Sequence, residues 1–344
     1  MKNIFRILSI NLIIFITILI ILEAIFGYWF KENNFGYFLR KERLKKAFYE
    51  TSHDEKSYKY YYKRNFYGFR GDDVDPEKIK IVFHGGSTGN QRYTPENLTI
   101  VGLLNKEFKK DNLLITIHNA STDGKTSRGY NNDFKYWFSK IPNFKPDVFI
   151  FFVGINDSHI DQPKRFDIPY SNKVSQKIID YIKNNSIFVE LLKDIKFKYF
   201  TKIKISYDVR KNNPIQNINF INYTKAKKLF ENTIDNDGII IQYKKRLGKL
   251  NENIKLNNIH PIFITQIKYN GISEKNLFFV NEYTKKFAEI NDYNIIKLDE
   301  LVDNLSDTSY FYDNVHTTVK GTEYLFNLIY PLLKQHIINF NEKK

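Results

Sequence analysis

The longest apolar run in the chain lies close to its N-terminus. Residues 7–30 are almost wholly apolar, and Glu23 is the only charged residue among them. Because a helix rises about 1.5 Å per residue, about 20 apolar residues suffice to cross the hydrocarbon core of a bilayer. Tyr28 and Trp29 lie where aromatic residues mark a membrane interface. We therefore expect residues 1–30 to form an uncleaved, single-pass transmembrane anchor, with a cleaved signal peptide as the alternative.

An alternation of short apolar runs and helical patterns begins near residue 76. The predicted strands are residues 80–83, 113–117, 147–153, 261–265 and 294–298. Helical spacing of apolar side chains predicts helices that begin at residue 95, cover residues 130–140 and cover residues 319–338. Strands that are apolar on both faces and separated by helices are typical of a parallel sheet with helices on each side. The pattern therefore predicts an α/β domain with a central parallel sheet of about five strands.

Two stretches do not follow this alternation. Residues 31–75 are charged, rich in tyrosine and without a long apolar periodicity, and we expect them to form a stalk. Residues from about 160 to 255 are rich in Lys, Asn, Tyr and Ile, and we expect a mainly helical insertion over or beside the site. The predicted organisation is an anchor, a stalk and one domain over residues 76–340 that contains the insertion.

The chain has a net charge of +15 and no cysteine. The missing cysteines exclude disulfides, a thiol nucleophile and Cys-ligated metals. The basic residues are scattered, and no nucleic-acid-binding motif accompanies them, so we do not expect a nucleic-acid partner. Attraction to anionic lipid headgroups or acidic wall polymers is the better explanation of the charge.

Two features of the chain suggest acyl-ester chemistry. A predicted strand runs directly into Gly85, Gly86 and Ser87, and near the end of the chain Asp313 precedes His316 by three residues. On a turn this spacing lets the Asp hold one imidazole nitrogen while the other accepts the proton of a serine hydroxyl. Taken alone, the Gly-Gly-Ser sequence is also compatible with a flexible turn.

Two further strand ends carry groups that could stabilise an oxyanion. The second predicted strand leads into a polar loop that contains Gly124, whose backbone N–H could point at a developing negative charge. The third ends in Gly154-Ile155-Asn156-Asp157, where the Asn156 amide could donate a second hydrogen bond. Each of these has an alternative as a polar loop or a helix cap.

Taken in order, these segments resemble the conserved blocks of the SGNH (GDSL-like) hydrolase superfamily. Ser87 matches the nucleophile of block I, Gly124 the glycine of block II and Asn156 the asparagine of block III. Asp313 and His316 match the Asp-x-x-His of block V, and the resemblance extends over most of the predicted domain. It implies a flavodoxin-like three-layer α/β/α fold, ester hydrolysis or acyl transfer, and no metal or cofactor. It also implies an oxyanion hole made by the Ser87 and Gly124 N–H groups and the Asn156 amide.

The sequence departs from the family pattern immediately before the nucleophile. Gly86 stands where typical members have an aspartate, so the contacts of that carboxylate are missing. His84 and Gln266 also lie at predicted strand ends and are candidates for substrate binding. Hydrogen bonding to protein groups is the alternative for both. No histidine has a second ligand at a recognised metal-binding spacing, so we expect no metal site.

The function expected from this combination is that of a membrane-anchored serine esterase. It would remove small acyl groups, chiefly O-acetyl, from a cell-envelope polysaccharide or another acylated molecule. An O-acyltransferase that uses the same residues is the first alternative. A non-catalytic glycan-binding module is the second, and the glycine at position 86 favours it. The basic residues after the apolar run favour a cytoplasmic location by the charge rule, whereas the envelope chemistry favours an extracytoplasmic catalytic domain, which is the topology we expect.

Overall fold

A five-stranded parallel sheet forms the centre of the fold. The computed structural model describes residues 2–30, 45–53, 56–159, 167, 174–196, 199, 204–212, 223–234, 237–269, 275–302 and 308–343. Its strands are β1 (Lys46–His53), β2 (Lys56–Lys63), β3 (Ile81–Gly85), β4 (Ile117–Asn119), β5 (Val148–Phe152), β6 (Lys204–Asp208), β7 (His260–Ile264) and β8 (Asn294–Ile296).

The helices surround this sheet and extend from it. They are α1 (Lys2–Phe26), α2 (Ser87–Asn90), α3 (Ile100–Lys110), α4 (Ser127–Tyr136), α5 (Val174–Asn185), α6 (Ile187–Ile195), α7 (Val209–Asn212), α8 (Tyr223–Thr233), α9 (Gly238–Leu256), α10 (Lys275–Ile290), α11 (Leu298–Leu301) and α12 (Val319–Lys343). Short 3₁₀ turns cover Pro76–Lys78, Glu96–Leu98, Phe138–Lys140 and Thr308–Tyr310.

The strand order of the central sheet is β4-β3-β5-β7-β8, and every pair is parallel. Counted among its own strands, the sheet has the order 2-1-3-4-5, which is the flavodoxin-like arrangement. In this arrangement the connections diverge at the carboxyl ends of the first and third strands, where ligands bind. The predicted α/β class, the number of strands and the flavodoxin-like architecture are confirmed.

The alternation of side chains along each strand builds two separate cores. Val82, Phe149 and Phe263 face the side covered by α4, α9 and α10. Phe83 and Ile150, together with their neighbours of the same parity, face the side covered by α3 and α12. Because both faces are covered, these strands are apolar throughout rather than alternating with polar residues.

The second strand is shorter and lies later than its apolar run indicates. The sequence pattern predicts a strand over residues 113–117, but β4 begins only at Ile117, and Leu114 is fully exposed. Asn105 fixes Ile117 by accepting from its N–H at 2.8 Å and donating to its carbonyl at 2.9 Å. Pairing with β3 therefore starts at this residue, and the preceding apolar residues lead up to it without joining the sheet.

A second sheet occupies much of the segment for which the sequence predicts a stalk. Strands β1 and β2 form an antiparallel hairpin, and β6 pairs in parallel with β1. Tyr49 and Tyr62 are buried, because alternate side chains of the hairpin face the α/β domain. From residue 45 onward the predicted stalk is thus a folded part of the protein, and residues 31–44 lie outside the described residues.

The expected insertion also divides differently. Helix α9 belongs to the helix layer of the α/β domain, since Tyr243, Leu247 and Leu250 are fully buried in its core. The described parts that precede it are mostly helical, but they also contain β6. Helix α9, the last part of the segment predicted as an insertion, therefore belongs to the core of the α/β domain. Its apolar side chains recur at helical spacing and so face the sheet together.

The first helix carries the apolar run at the N-terminus. Within it, Ile4–Phe26 spans 23 residues with a mean hydropathy of 2.7, and its side chains are exposed. At 1.5 Å per residue these residues cover about 34 Å, slightly more than the hydrocarbon core of a bilayer. By length and composition α1 is a candidate membrane span.

Candidate active site

Ser87 lies immediately beyond the carboxyl end of a central strand. Strand β3 ends at Gly85, Gly86 provides the turn, and Ser87 is the first residue of the single-turn helix α2. The first N–H groups of a helix have no partner within it, so the backbone N–H of Ser87 is not used in the hydrogen bonds of α2. The Ser87 side chain is partly exposed, whereas the strand behind it is buried.

A continuous chain of hydrogen bonds connects Ser87 with the Asp-x-x-His motif. The Ser87 Oγ lies 2.7 Å from His316 Nε2, and His316 Nδ1 lies 2.7 Å from Asp313 Oδ2. With Nδ1 as the donor to the carboxylate, Nε2 carries a lone pair and can accept from the serine hydroxyl. The fold thus brings together two motifs that are 229 residues apart.

The Asp313 carboxylate is held as an anion by local backbone geometry. Its Oδ1 accepts from the N–H groups of Val315 at 2.7 Å and His316 at 2.6 Å. Burial raises the pKa of Asp313, but these bonds and the His316 imidazole outweigh burial and lower the pKa below its ordinary value. The neighbouring Tyr312 ring stacks on the His316 ring at a centroid distance of 5.6 Å, which restricts its orientation.

The loops after β4 and β5 meet beside Ser87. Gly124 has a φ of +70°, a left-handed conformation that favours glycine. The Asn156 amide donates to the carbonyl of Lys125 at 2.9 Å, and an amide nitrogen carries a second N–H. Through this bond Asn156 is tied to the residue that follows Gly124, so the two predicted oxyanion donors belong to one connected structure.

Gly86, the departure from the family pattern, is explained by the position of Asn156. A Cβ atom at residue 86 would lie 2.6 Å from Asn156 Nδ2, closer than side chains in proteins tolerate. Any larger residue would displace the Asn156 amide from its place beside the serine turn. The glycine here therefore leaves room for the Asn156 amide in its present position.

His84 does not reach the rim at which the sequence suggests substrate contact. Its side chain is fully buried, with Nε2 2.7 Å from Asp133 Oδ2. The Lys125 ammonium donates to the same carboxylate oxygen and is itself buried. Burial lowers the pKa of His84 and outweighs the opposing effect of Asp133. His84 and Lys125 thus both bind Asp133, and because Lys125 follows Gly124, this buried group holds the Gly124 loop in place.

Gln266 lies next to the serine turn but is also buried. Its Oε1 accepts from the Thr88 hydroxyl at 2.9 Å, and its Nε2 donates to the Phe152 carbonyl at 2.8 Å. It therefore connects the residue after Ser87 with the end of β5. This geometry matches the alternative that the sequence left open for Gln266, hydrogen bonding to protein groups.

Two buried arginines that sequence reasoning missed hold the loop after the serine turn. Arg70 donates to the carbonyls of Gln91 at 2.9 Å and Thr94 at 2.7 Å, and also to the Asn90 carbonyl. Arg64 donates to the Asn90 side chain at 3.0 Å. The sequence gives little indication of this role, because both arginines lie in the charged segment for which it predicts a stalk.

Asp157 connects the loop after β5 with the start of α4. It accepts from the N–H of Ser127 at 3.0 Å and from its hydroxyl at 2.5 Å, and it pairs with Arg246 at 3.1 Å. Burial raises the pKa of Asp157 against the lowering effect of Arg246. Across the described ranges, no group of three or more His, Asp or Glu side chains is placed to hold a metal ion.

Several solved structures are similar to this chain. A lipase/acylhydrolase from Enterococcus faecalis is 14% identical with a TM-score of 0.43, over 75% of this chain and 96% of that one. An esterase from Pseudoalteromonas sp. is 13% identical with a TM-score of 0.41, over 76% and 99%. A GDSL-like lipase from Bacteroides thetaiotaomicron is 15% identical with a TM-score of 0.39, over 78% and 91%. No protein-family model and no curated protein sequence matches the chain.

Proposed function

We propose that the chain is a serine ester hydrolase in which Ser87 is the nucleophile, His316 the general base and Asp313 the residue that orients the imidazole. The observation that carries the proposal is the hydrogen-bonded chain from Ser87 Oγ through His316 to Asp313, with both links at 2.7 Å. A nucleophile and a base within hydrogen-bonding reach, with the base held by a third group, are the geometric requirements of this chemistry.

In the first half of the reaction His316 Nε2 takes the proton of Ser87 as its oxygen attacks the ester carbonyl. The carbonyl oxygen becomes an oxyanion, which accepts from the N–H groups of Ser87 and Gly124 and from the Asn156 amide. The tetrahedral intermediate then collapses, the bond to the leaving alcohol breaks, and His316 returns the proton to that alcohol. Losing one oxyanion donor typically costs about 10²–10³ in kcat.

In the second half a water molecule replaces the alcohol. His316 removes a proton from the water, the hydroxide attacks the acyl-serine, and the same donors stabilise the second oxyanion. Collapse breaks the bond to Ser87, which regains its proton from His316, and a free carboxylic acid leaves. Every proton stays within the pair of Ser87 and His316 or passes to a product, so the cycle needs no metal or cofactor.

The substrate we propose is a small acyl ester, chiefly O-acetyl, on a cell-envelope polysaccharide. Two properties support this choice. The helix α1 is long and apolar enough to hold the domain at a membrane, and the net charge of +15 favours an acidic polymer or surface. The α/β domain would then act outside the cytoplasm.

The test is turnover of p-nitrophenyl acetate by the detergent-solubilised full-length chain and by Ser87→Ala. We expect Ser87→Ala to lose turnover and labelling by a fluorophosphonate probe. Ser139→Ala is the matched control, because the Ser139 hydroxyl is exposed and only donates to a helix carbonyl. Turnover by Ser87→Ala equal to that of Ser139→Ala would refute the assignment of the nucleophile.

The products separate hydrolysis from transfer. With an acetylated envelope polysaccharide as the substrate, hydrolysis releases free acetate. With an added glycan acceptor, transfer gives a newly acetylated glycan. Acetylated acceptor without free acetate would contradict the hydrolase and favour the transferase, since water and a sugar hydroxyl attack the same acyl-serine.

A further inference from the structure

The two helices that precede β6 expose apolar side chains to an unusual extent. On α5 these are Val174 (72% exposed), Ile178 (57%), Tyr181 (58%) and Ile182 (43%), and on α6 Leu191 (52%) and Leu192 (65%). At helical spacing the apolar residues of α5 fall on one side, and Lys177 and Lys183 border that side. Such a stripe is stable only when something apolar covers it.

The described contacts of these helices converge on the end of α1. Glu23 accepts from the N–H groups of Ile187 at 3.1 Å and Phe188 at 3.2 Å, and from the Ser186 hydroxyl. It thereby satisfies donors at the start of α6 that have no partner within that helix. The only charged residue of the apolar run thus has a structural role, because it joins α1 to the corner between α5 and α6.

Aromatic and backbone contacts strengthen the same junction. The Trp29 indole donates to Glu23 at 2.9 Å, and its ring meets the edge of Tyr181 at a centroid distance of 5.7 Å. The N–H of Tyr28 donates to the Asn185 carbonyl at 2.7 Å. Trp and Tyr concentrate at the boundary between the acyl chains and water. The junction therefore lies at the level where a membrane-spanning α1 would leave the bilayer.

From this geometry we propose that α5 and α6 lie in the headgroup region of the same bilayer that α1 crosses, with their apolar side chains among the upper acyl chains. An amphipathic helix in this position buries its apolar face and keeps its basic residues at the lipid phosphates. The exposed lysines that border the stripe of α5 fit this arrangement. Lipid is the occupant because Tyr181 of the stripe contacts Trp29 at the end of α1, and α1 exposes a long series of apolar side chains itself.

The contacts of Glu23 favour an uncleaved anchor over a cleaved signal peptide. Cleavage after α1 would remove Glu23 and leave the first N–H groups of α6 without their acceptor. The contacts of Trp29 and Tyr28 would lose their support as well. The structure thus assigns α1 to the mature protein as one part of a membrane-seated unit. This assignment does not depend on the catalytic proposal.

The experiment is fluorescence quenching with single cysteines, for which the chain is suited because it has none of its own. Ile178→Cys, Ile182→Cys and Leu192→Cys are labelled with an environment-sensitive dye in the full-length chain. The chain is reconstituted into vesicles of phosphatidylcholine and phosphatidylglycerol. Iodide reports exposure to water, and a phospholipid with a nitroxide near the top of its acyl chain reports contact with lipid.

Exposed leucines of the α/β domain provide the matched controls. Leu114 and Leu256 are 106% and 82% exposed, and dyes at Leu114→Cys and Leu256→Cys should be quenched by iodide and not by the lipid nitroxide. We expect the dyes on α5 and α6 to show the reverse, with iodide quenching several-fold weaker than at the controls. The same pattern in a Ser87→Ala background would show that the membrane contact is independent of catalysis.

Two results would overturn the proposal. Iodide quenching at Ile182→Cys as strong as at Leu256→Cys would mean that water covers the stripe. Protection from both quenchers would mean that protein, such as a second copy of the chain, covers it. Thermal unfolding of each labelled variant is compared with that of the unlabelled chain, and Ile179→Cys replaces a variant that unfolds early, since Ile179 is exposed on the same helix.

Discussion

The replacement of Gly86 by alanine tests the geometry beside the serine turn with a single added methyl group. The new Cβ would lie 2.6 Å from Asn156 Nδ2, whereas ordinary contacts begin at 3.4 Å. The φ of Gly86 is −85°, which lies outside the left-handed region that favours glycine. The whole perturbation therefore acts on Asn156 rather than on the local backbone.

The expected magnitude follows from this overlap. The Asn156 amide must move by about 0.8 Å, and a displacement of about 1 Å in a catalytic group can cost about 10²-fold in rate. Complete loss of an oxyanion donor costs about 10²–10³ in kcat, or about 3–4 kcal/mol. We therefore expect Gly86→Ala to lower kcat for p-nitrophenyl acetate by about 10²-fold.

A double-mutant cycle identifies the cause of the loss. Asn156→Ala removes the atoms with which the new Cβ collides, so Gly86→Ala should have almost no further effect in the Asn156→Ala background. The measurement is kcat for the four chains, and the expected coupling is nearly equal to the whole effect of the single replacement. Independent, multiplicative losses would show that Gly86 acts through some other group.

Gly248→Ala is the control for adding a methyl group. Nothing lies within 4 Å of a Cβ at this position in α9, and alanine in a helix is favoured over glycine by up to about 1 kcal/mol. It should leave kcat unchanged and raise the midpoint of thermal unfolding slightly. Wild-type kcat in Gly86→Ala would refute the placement of Asn156 beside the nucleophile.

Two further predictions concern buried groups around the site. Arg70→Met leaves the carbonyls that it serves without a donor, so we expect a loss of about 3 kcal/mol in the free energy of unfolding, measured by urea titration. Arg128→Met is the control. Equal urea midpoints for Arg70→Met and Arg128→Met would contradict a stabilising role of Arg70 at this loop. His84 is buried, its pKa is lowered and its Nδ1 has no partner among the described residues. The unfolded chain therefore binds a proton below about pH 6.5 that the folded chain does not, and stability should fall as the pH drops, by up to about 1.4 kcal/mol per pH unit. His84→Gln should flatten this decline between pH 6.5 and 5, and an unchanged slope would show that His84 is not its source.

The central sheet could be predicted because its strands are apolar on both faces. The runs that contain Phe83, Ile150 and Phe263 fall where strands are found, and the residues that follow them mark the sheet edge. Chain order alone places Ser87 and Asn156 at this edge, since the carboxyl ends of parallel strands lie at the same edge of a sheet. The sequence could not determine the separations within the site, because these depend on loop conformations.

The second sheet illustrates a limit set by distance along the chain. Alternating tyrosines at residues 58, 60 and 62 carry a strand pattern of period two. The third strand of this sheet, β6, pairs with β1 from about 150 residues later in the chain. No local sequence pattern encodes such a pairing. Arg64 and Arg70 were missed for a different reason, since two arginines in a charged segment give no indication of burial.

The arrangement of the hairpin has a mechanical consequence. Between α1 and the central sheet the chain passes through β1 and β2, and Arg64 and Arg70, which follow β2, extend to the loop after Ser87. With α1 in a bilayer, as proposed above, a force or tilt applied between bilayer and domain would thus reach the Ser87 turn through two guanidinium groups. A fragment that starts at residue 76 would lack both, so a fragment that keeps them together with the hairpin begins no later than Lys45.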